Sequence, residues 1–203
     1  MPEQNFTFLA LGDSYTIGES VMLQESFPYQ TVQLLRKNGL NFNAPELIAK
    51  TGWTTDELLD QISKTLFSPA YNIVTLLIGV NNQYRGFEME IYKKEFETLF
   101  KKAISLAANN ANHVIVLSIP DWGVTPFATG RDQKKIADEI DAYNQINEEL
   151  TKSFHSHYIN ITGFTREALV DMDLLATDQL HPSGKDYSRW AEKLAAKIRE
   201  IIV

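Results

Sequence analysis

The chain has 203 residues, of which 44% are hydrophobic and 22% are charged, and this composition excludes a disordered, collagen-like or low-complexity protein. Its length is that of one ordinary domain, so we expect residues 1–203 to form a single domain. The absence of cysteine excludes a disulfide scaffold, a thiolate zinc site, an iron–sulfur protein and a cysteine nucleophile. The net charge of -7 argues against nucleic acid and anionic membranes as partners.

No segment of the sequence has the length and apolar character of a membrane span. The longest apolar run covers residues 73–80 and is interrupted by Thr75 and Gly79, whereas a spanning helix needs roughly 20 apolar residues. Residues 1–4 show no positive region followed by an apolar stretch, so we expect no signal peptide in this chain. The compartment stays open between the cytoplasm and secretion after removal of a signal.

Strand-like and helix-like segments alternate along the whole chain. In chain order we predict a strand at residues 6–11, a helix at 27–37, a strand at 45–49, a helix at 54–66, a strand at 72–78, a helix at 87–108, a strand at 113–119, a helix at 131–153, a strand at 158–161 and a helix at 183–202. Two pairs are placed to cap the helices that they begin, Thr54 with Glu57 and Ser183 with Asp186.

Five strands that alternate with helices predict a parallel sheet covered on both faces, which is a three-layer α/β/α architecture. In open sheets of this kind, ligands bind beyond the carboxyl ends of the strands. The loops expected at that edge are residues 12–20, 50–54, 79–86, 120–130 and 171–182. Candidate functional residues are therefore sought in these loops.

A serine follows the first predicted strand, at Ser14. At a strand-to-helix turn, a serine hydroxyl is open to the cleft and lies near helix N–H groups that stabilise developing negative charge. Ser14 is therefore a candidate nucleophile, although a serine that caps a helix gives the same local pattern. A nucleophilic serine needs a base, and the base needs an orienting carboxylate.

A carboxylate and an imidazole lie three residues apart in the last predicted loop, at Asp178 and His181, and Pro182 follows them. With this spacing the carboxylate can reach one ring nitrogen within one turn of chain, which leaves the other nitrogen for a serine. Alternatively, both residues cap the last helix.

Two further loops carry groups that suit an oxyanion. Asn81 follows the most buried predicted strand, and its side-chain amide can donate to an oxyanion. Gly52 follows the second strand and can offer an unobstructed backbone N–H. Both patterns are also common in ordinary turns.

Together these four blocks resemble the SGNH, or GDSL-type, esterase and lipase family. The blocks occur in the order of the predicted elements and are Gly12-Asp13-Ser14, Gly52, Gly79-x-Asn81 and Asp178-x-x-His181. The resemblance covers essentially the whole chain. It implies the flavodoxin-like parallel sheet of the SGNH hydrolase fold.

The resemblance also implies a role for each residue of the four blocks. Ser14 is the expected nucleophile, His181 the general base and then the general acid, and Asp178 the carboxylate that orients His181. The expected oxyanion hole consists of the Ser14 N–H, the Gly52 N–H and the Asn81 side chain.

The sequence departs from the family pattern at Asn82, where the family often has aspartate. This departure leaves open which hydrogen bonds form around the oxyanion hole. We expect Asp13 to have a structural role.

Four aromatic residues of the edge loops are candidates for lining a substrate pocket or for capping the core; they are Trp53, Tyr84, Trp122 and Phe127. No cluster of His, Asp and Glu has metal-ligand spacing, so neither a metal nor a cofactor is predicted.

The sequence therefore predicts a serine ester hydrolase that cleaves small carboxylic esters through an acyl-enzyme on Ser14, with short-chain esters first and lysophospholipids next. A carbohydrate O-acetyl esterase or an acyltransferase on the same fold is the alternative. A flavodoxin-like FMN-binding protein is a further alternative, because residues 14–18 look somewhat like a phosphate loop. That interpretation leaves Asn81 and His181 without a role. The oligomeric state is left open.

Overall fold

The computed structural model describes residues 5–203 and contains a five-stranded parallel sheet in the order β2-β1-β3-β4-β5. The strands are β1 (Phe8–Asp13), β2 (Glu46–Lys50), β3 (Ile73–Leu77), β4 (Val114–Leu117) and β5 (His157–Ile159). Residues 1–4, to which the expectation about a signal peptide refers, lie outside the described residues. The parallel α/β fold expected from the sequence is confirmed.

Helices cover both faces of this sheet. They are α1 (Ser14–Ile17), α2 (Phe27–Lys37), α3 (Thr55–Lys64), α4 (Val80–Tyr84), α5 (Met89–Leu106), α6 (Gln133–Ser153), α7 (Thr162–Arg166) and α8 (Gly184–Ile202). The first and last long helices, α2 and α8, pack on each other, and α5 packs against both α3 and α6. Within residues 5–203, no helix combines the length and apolar character needed to cross a membrane.

The core lies on both faces of the sheet, around its interior strands. Every residue of β1 and of β3 is buried, which explains why their sequences are apolar on both faces. Gly12 is required near the end of β1, because a Cβ there would lie 2.0 Å from Thr16 Oγ1 and 2.5 Å from the carbonyl oxygen of Leu77. The absent side chain lets α1 fold back directly against the sheet, and this places Ser14 at the sheet edge.

The predicted long elements agree with the structure to within a few residues, and the helix at residues 27–37 agrees at both ends. Three short helices, α1, α4 and α7, have only four or five residues each and are too short to show helical periodicity in the sequence.

The expected cap of the last helix is wrong. Ser183 does stand at the N-cap position of α8, but its hydroxyl donates to the carbonyl of Asp173 at 2.7 Å. Asp186 is buried and accepts instead from the Trp190 indole at 3.2 Å. The Ser183 hydroxyl is therefore bound to the preceding loop and the Asp186 carboxylate to a core side chain, so neither group caps the helix. By contrast, Glu57 accepts from the Thr54 backbone N–H at 2.9 Å, as a capping box requires.

Gly79 immediately precedes α4 and is separated from β3 by a single residue, Ile78. Its φ of +130° is a conformation that residues with a side chain rarely adopt. A Cβ at this position would lie 2.5 Å from the Tyr92 hydroxyl, which itself bonds to Asn147 Oδ1 at 2.7 Å. Two separate constraints, backbone conformation and space, therefore require glycine at the start of α4.

We expect Gly79→Ala to destabilise the fold by more than Gly86→Ala does. Gly86 also has a positive φ, of +71°, but no atom lies within 4 Å of its would-be Cβ, so the control contains backbone strain alone. That strain costs about 1–2 kcal/mol, and the clash with Tyr92 should add about 1–3 kcal/mol. Urea unfolding of both variants gives the comparison; equal losses would show that Tyr92 does not constrain this turn.

Candidate active site

Ser14 is the first residue of α1 and follows the end of a fully buried strand. Asp13 caps this helix, because its Oδ1 accepts from the Tyr15 backbone N–H at 3.0 Å. The capping alternative considered for Ser14 therefore belongs to the residue before it. Ser14 is only 4% exposed, and its hydroxyl is left for a partner outside its own helix.

That partner is His181, from the other end of the chain. His181 Nε2 lies 2.9 Å from Ser14 Oγ, and Nδ1 lies 2.6 Å from Asp178 Oδ2. The imidazole is buried and its ring packs on the Tyr15 ring, with centroids 4.7 Å apart. An imidazole held in this way can take a proton from a hydroxyl while the carboxylate fixes the ring orientation.

The segment that carries Asp178 and His181 is a turn held together by hydrogen bonds to the Asp178 carboxylate. Asp178 Oδ1 accepts from the backbone N–H groups of Leu180 and His181, each at 3.0 Å, while Oδ2 bonds to the imidazole. Ser20 adds a hydrogen bond to Oδ2 at 2.8 Å. Burial alone raises the pKa of Asp178, but these bonds together lower it to about 2, so the carboxylate is ionised near neutral pH.

The sequence-predicted oxyanion residues Gly52 and Asn81 lie on the same cavity as Ser14. Asn81 Nδ2 donates to the carbonyl of Trp53 at 3.0 Å and stands 3.5 Å from Asp13 Oδ2. An amide nitrogen carries two hydrogens. One of them is donated to Trp53, and the other has only the long contact with Asp13 Oδ2. Gly52 has a φ of +83° at the turn after β2.

This cavity has a volume of about 160 Å³ and opens at the carboxyl edge of the sheet. Its walls are largely apolar and are formed by Ser14, Tyr15, Thr51, Gly52, Val80, Asn81, Tyr84, Trp122, Phe127, Leu180 and His181. Trp53 is not among these residues, and its side chain packs against the hydrophobic core, which is the second of the two roles considered for it. Strand pleating and turn geometry direct the ring, and neither is readable from its position in the loop.

Tyr84, Trp122 and Phe127 form one side of the cavity, which we call the aromatic wall. Their ring centroids lie 5.3 to 6.1 Å apart. Trp122 is held by its indole N–H, which donates to Gln83 Oε1 at 2.7 Å, and Gln83 Nε2 donates in turn to Glu139 at 2.8 Å. The sequence did not point to Gln83; its only signal was its place two residues after Asn81.

Asn82 supports the site from behind. Its Oδ1 accepts from the Thr55 backbone N–H at 3.1 Å, and its Nδ2 donates to the Thr55 hydroxyl at 2.7 Å. These bonds fasten the start of α3, and with it the Gly52 turn, to the start of α4. The amide at this position thus has both an acceptor and a donor in use.

Asp13 is fully buried behind Ser14. Burial raises the pKa of this carboxyl to about 7, although hydrogen bonds from backbone N–H groups act to lower it. An ionisable group thus titrates near neutral pH in direct contact with the start of α1.

Among residues 5–203, no three His, Asp or Glu side chains are grouped so as to hold a metal ion.

A family model described as the GDSL-like Lipase/Acylhydrolase family matches residues 10–198. No curated protein sequence matches the chain significantly.

Among solved structures, a variant of the acetyl xylan esterase Axe2 from Geobacillus stearothermophilus is similar with a TM-score of 0.74 and 18% identity, over 98% of this chain and 96% of the other. TesA is similar with a TM-score of 0.73 and 16% identity, over 98% and 100%. The esterase EstA from Pseudoalteromonas sp. gives 0.71 and 18%, over 96% and 97%. At these identities the similarity shows a shared fold.

We expect Asp13→Asn to change how stability depends on pH. The folded protein keeps a proton on Asp13 up to a pKa of about 7, whereas the unfolded chain loses it near 3.8, so folded-state stability falls as pH rises between these values. Asparagine keeps the helix-capping oxygen and removes this titration. From about pH 4 to about pH 8, the stability of the variant relative to the wild type should rise by up to about 4 kcal/mol.

Urea unfolding at several pH values tests this expectation. Asp186, whose pKa burial raises to about 6, is present in both proteins and cancels in the difference. Parallel stability curves for the two proteins would contradict the assignment of the titration to Asp13.

Proposed function

The chain belongs to the GDSL-like lipase/acylhydrolase family and is a carboxylic ester hydrolase, and from that premise we propose that it cleaves esters through an acyl-enzyme on Ser14. The observation that carries the proposal is the continuous series of hydrogen bonds from Asp178 through His181 to Ser14 Oγ. The flavodoxin-like alternative gives no role to His181 or to Asn81, which border the same cavity as Ser14.

In the first half of the reaction, Ser14 Oγ attacks the ester carbonyl carbon while His181 Nε2 takes the hydroxyl proton. Asp178 stays ionised and stabilises the imidazolium that forms. The carbonyl oxygen becomes an oxyanion, which the Ser14 and Gly52 backbone N–H groups and the Asn81 amide stabilise. The tetrahedral intermediate then expels the alkoxide, which receives its proton from His181, and the acyl group remains on Ser14.

In the second half, water takes the place of the alcohol. His181 Nε2 accepts a proton from the water as its oxygen attacks the acyl carbonyl, and it returns that proton to Ser14 Oγ as the acid leaves. An alcohol in place of water would give acyl transfer by the same steps. The open cavity mouth leaves water free access, which favours hydrolysis.

A fluorophosphonate should modify Ser14 alone. The wild-type protein should gain one adduct by intact mass, and peptide mapping should locate it at Ser14. Ser14→Ala should give no adduct and lose at least about 10,000-fold in turnover. Asn81→Ala should lose about 100- to 1,000-fold while keeping measurable activity, because it removes one of three oxyanion donors.

Ser188→Ala is the matched control, because Ser188 is a partly buried serine of α8 whose hydroxyl donates to the carbonyl of Lys185. This variant should keep both the adduct and the activity. An adduct retained in folded Ser14→Ala, or full turnover by that variant, would rule out the mechanism.

The volume of the cavity favours a natural substrate with a short acyl group. An apolar cavity of about 150 Å³ accommodates benzene, a molecule of six carbons, and the cavity beside Ser14 has about 160 Å³. We therefore favour short-chain carboxylic esters over lysophospholipids, whose long acyl chains exceed this volume.

A carbohydrate O-acetyl ester is the second candidate, and the aromatic wall is the observation that favours it. Tyr84 is 43% exposed and Phe127 is 46% exposed at the cavity mouth, where their faces can contact a sugar ring. Axe2, which shares the fold, is an acetyl xylan esterase. Both candidates place a small acyl group beside Ser14.

An acyl-chain series should separate these substrate classes. For p-nitrophenyl esters, kcat/KM should be highest between acetyl and hexanoyl and should fall by about tenfold or more for decanoyl, because the longer chain cannot be buried. Release of acetate from an acetylated xylo-oligosaccharide, followed by NMR, tests the carbohydrate candidate. A maximum at decanoyl or longer would contradict the short-chain proposal and favour a lysophospholipid.

A further inference from the structure

A cation, Arg131, contacts the three rings of the aromatic wall but is not itself among the residues that line the cavity. The guanidinium carbon of Arg131 lies 5.0 Å from the Tyr84 ring centroid and 5.2 Å from that of Trp122. It lies 5.9 Å from the Phe127 centroid, and its Nη2 donates to the Tyr84 hydroxyl at 3.1 Å. Distances within about 6 Å are those of cation–π contacts, so all three rings of the wall contact the same charge.

These contacts hold the guanidinium in place without using up its hydrogen-bonding capacity. The turn before it is fixed by Gly130, with a φ of +81°, and by the bond from the Arg131 backbone N–H to the carbonyl of Ala128 at 3.0 Å. A guanidinium has five N–H donors, which point outward in its plane. Only the one donated to Tyr84 has a partner that the structure records, so the edge of the group is available to a ligand.

Arg131 also differs in its charge environment from the arginines that lie in ion pairs. Arg85, Arg166 and Arg189 each contact at least one carboxylate, but within residues 5–203 no ion pair includes Arg131. The nearby acids have other partners. Asp132 accepts from the Lys135 backbone N–H, and Glu139 accepts from Gln83.

We propose that Arg131 is a specificity-determining residue, which binds a negatively charged group on the ester that occupies the cavity beside Ser14. The inference rests on the proposed function and adds to it a substrate class, namely esters of small anionic molecules. In a protein with a net charge of -7, long-range electrostatics repel such substrates. A local, preorganised cation beside the aromatic wall is what makes their binding favourable.

The charge of the substrate can lie on either side of the ester bond, and two substrate pairs distinguish these cases. Monomethyl glutarate against methyl hexanoate places the carboxylate on the acyl part. The acetyl ester of β-hydroxypropionate against butyl acetate places it on the alcohol part. Proton release in a pH-stat gives kcat/KM for each ester, and the ratio of anionic to neutral ester is the quantity compared.

For at least one pair, we expect Arg131→Gln to lower this ratio by about five- to tenfold, because an exposed charge-assisted hydrogen bond is lost. Hydrolysis of the neutral ester should stay within about twofold of wild type. Arg131→Lys should keep part of the preference, since it retains the charge but not the planar fork. In the wild type the ratio should also fall as salt is raised, and in Arg131→Gln it should not.

Arg199→Gln is the matched control. Arg199 is an exposed arginine near the end of α8, roughly 22 Å along the helix from its start beside His181, and its loss changes the net charge equally. If Arg131→Gln keeps the wild-type ratio for both pairs, or slows both members of each pair equally, the inference is wrong. If the wild type cleaves none of the four esters, the proposed function is what fails.

Discussion

The site depends on how abruptly the middle strand becomes a helix. Only Ile78 and Gly79 separate β3 from α4, and Gly79 has a backbone conformation and a closeness to Tyr92 that only glycine permits. Because successive helical residues turn by about 100°, the four side chains that follow Val80 point in four directions. They reach the cavity, the start of α3, the indole of the aromatic wall and the wall itself, and they are Asn81, Asn82, Gln83 and Tyr84. One turn of helix thereby links the start of α3 and the aromatic wall to the cavity that contains Ser14.

The sequence was most informative where the fold itself gathers residues. Parallel strands bring their carboxyl ends to one edge, so a serine after β1, a glycine after β2 and an asparagine after β3 had to meet there. Asp178 and His181 were readable because their contact is local. Asp186 was misjudged, and Trp53 was left between two roles, because the direction of a side chain depends on packing that spacing does not encode. Arg131 gave no signal, since its contact with Tyr84, 47 residues away in the chain, depends on tertiary packing.

Asp13 illustrates a conflict between local structure and charge. The start of α1 needs an acceptor for its first free N–H groups, and Asp13 supplies one at 3.0 Å from the Tyr15 nitrogen. The same position is completely buried, which disfavours the ionised carboxylate and raises its pKa to about 7. Its other oxygen faces the Asn81 amide at 3.5 Å. Burying this carboxyl group is unfavourable, but Asp13 fixes the backbone that positions Ser14.

The segment with Asp178 and His181 differs from the rest of the site in how it is anchored. Ser14 and Asn81 follow buried strands, whereas this segment is mostly exposed turn, tied to the loop after α1 by the Ser20 hydroxyl. Segments of this kind open locally at a lower free energy than the core. When it opens, the base and its carboxylate depart together and the cavity loses the walls formed by Leu180 and His181, while Asn81 stays in place on α4. Opening of this one segment would therefore remove the proton-accepting half of the site and leave the half that is built on the sheet.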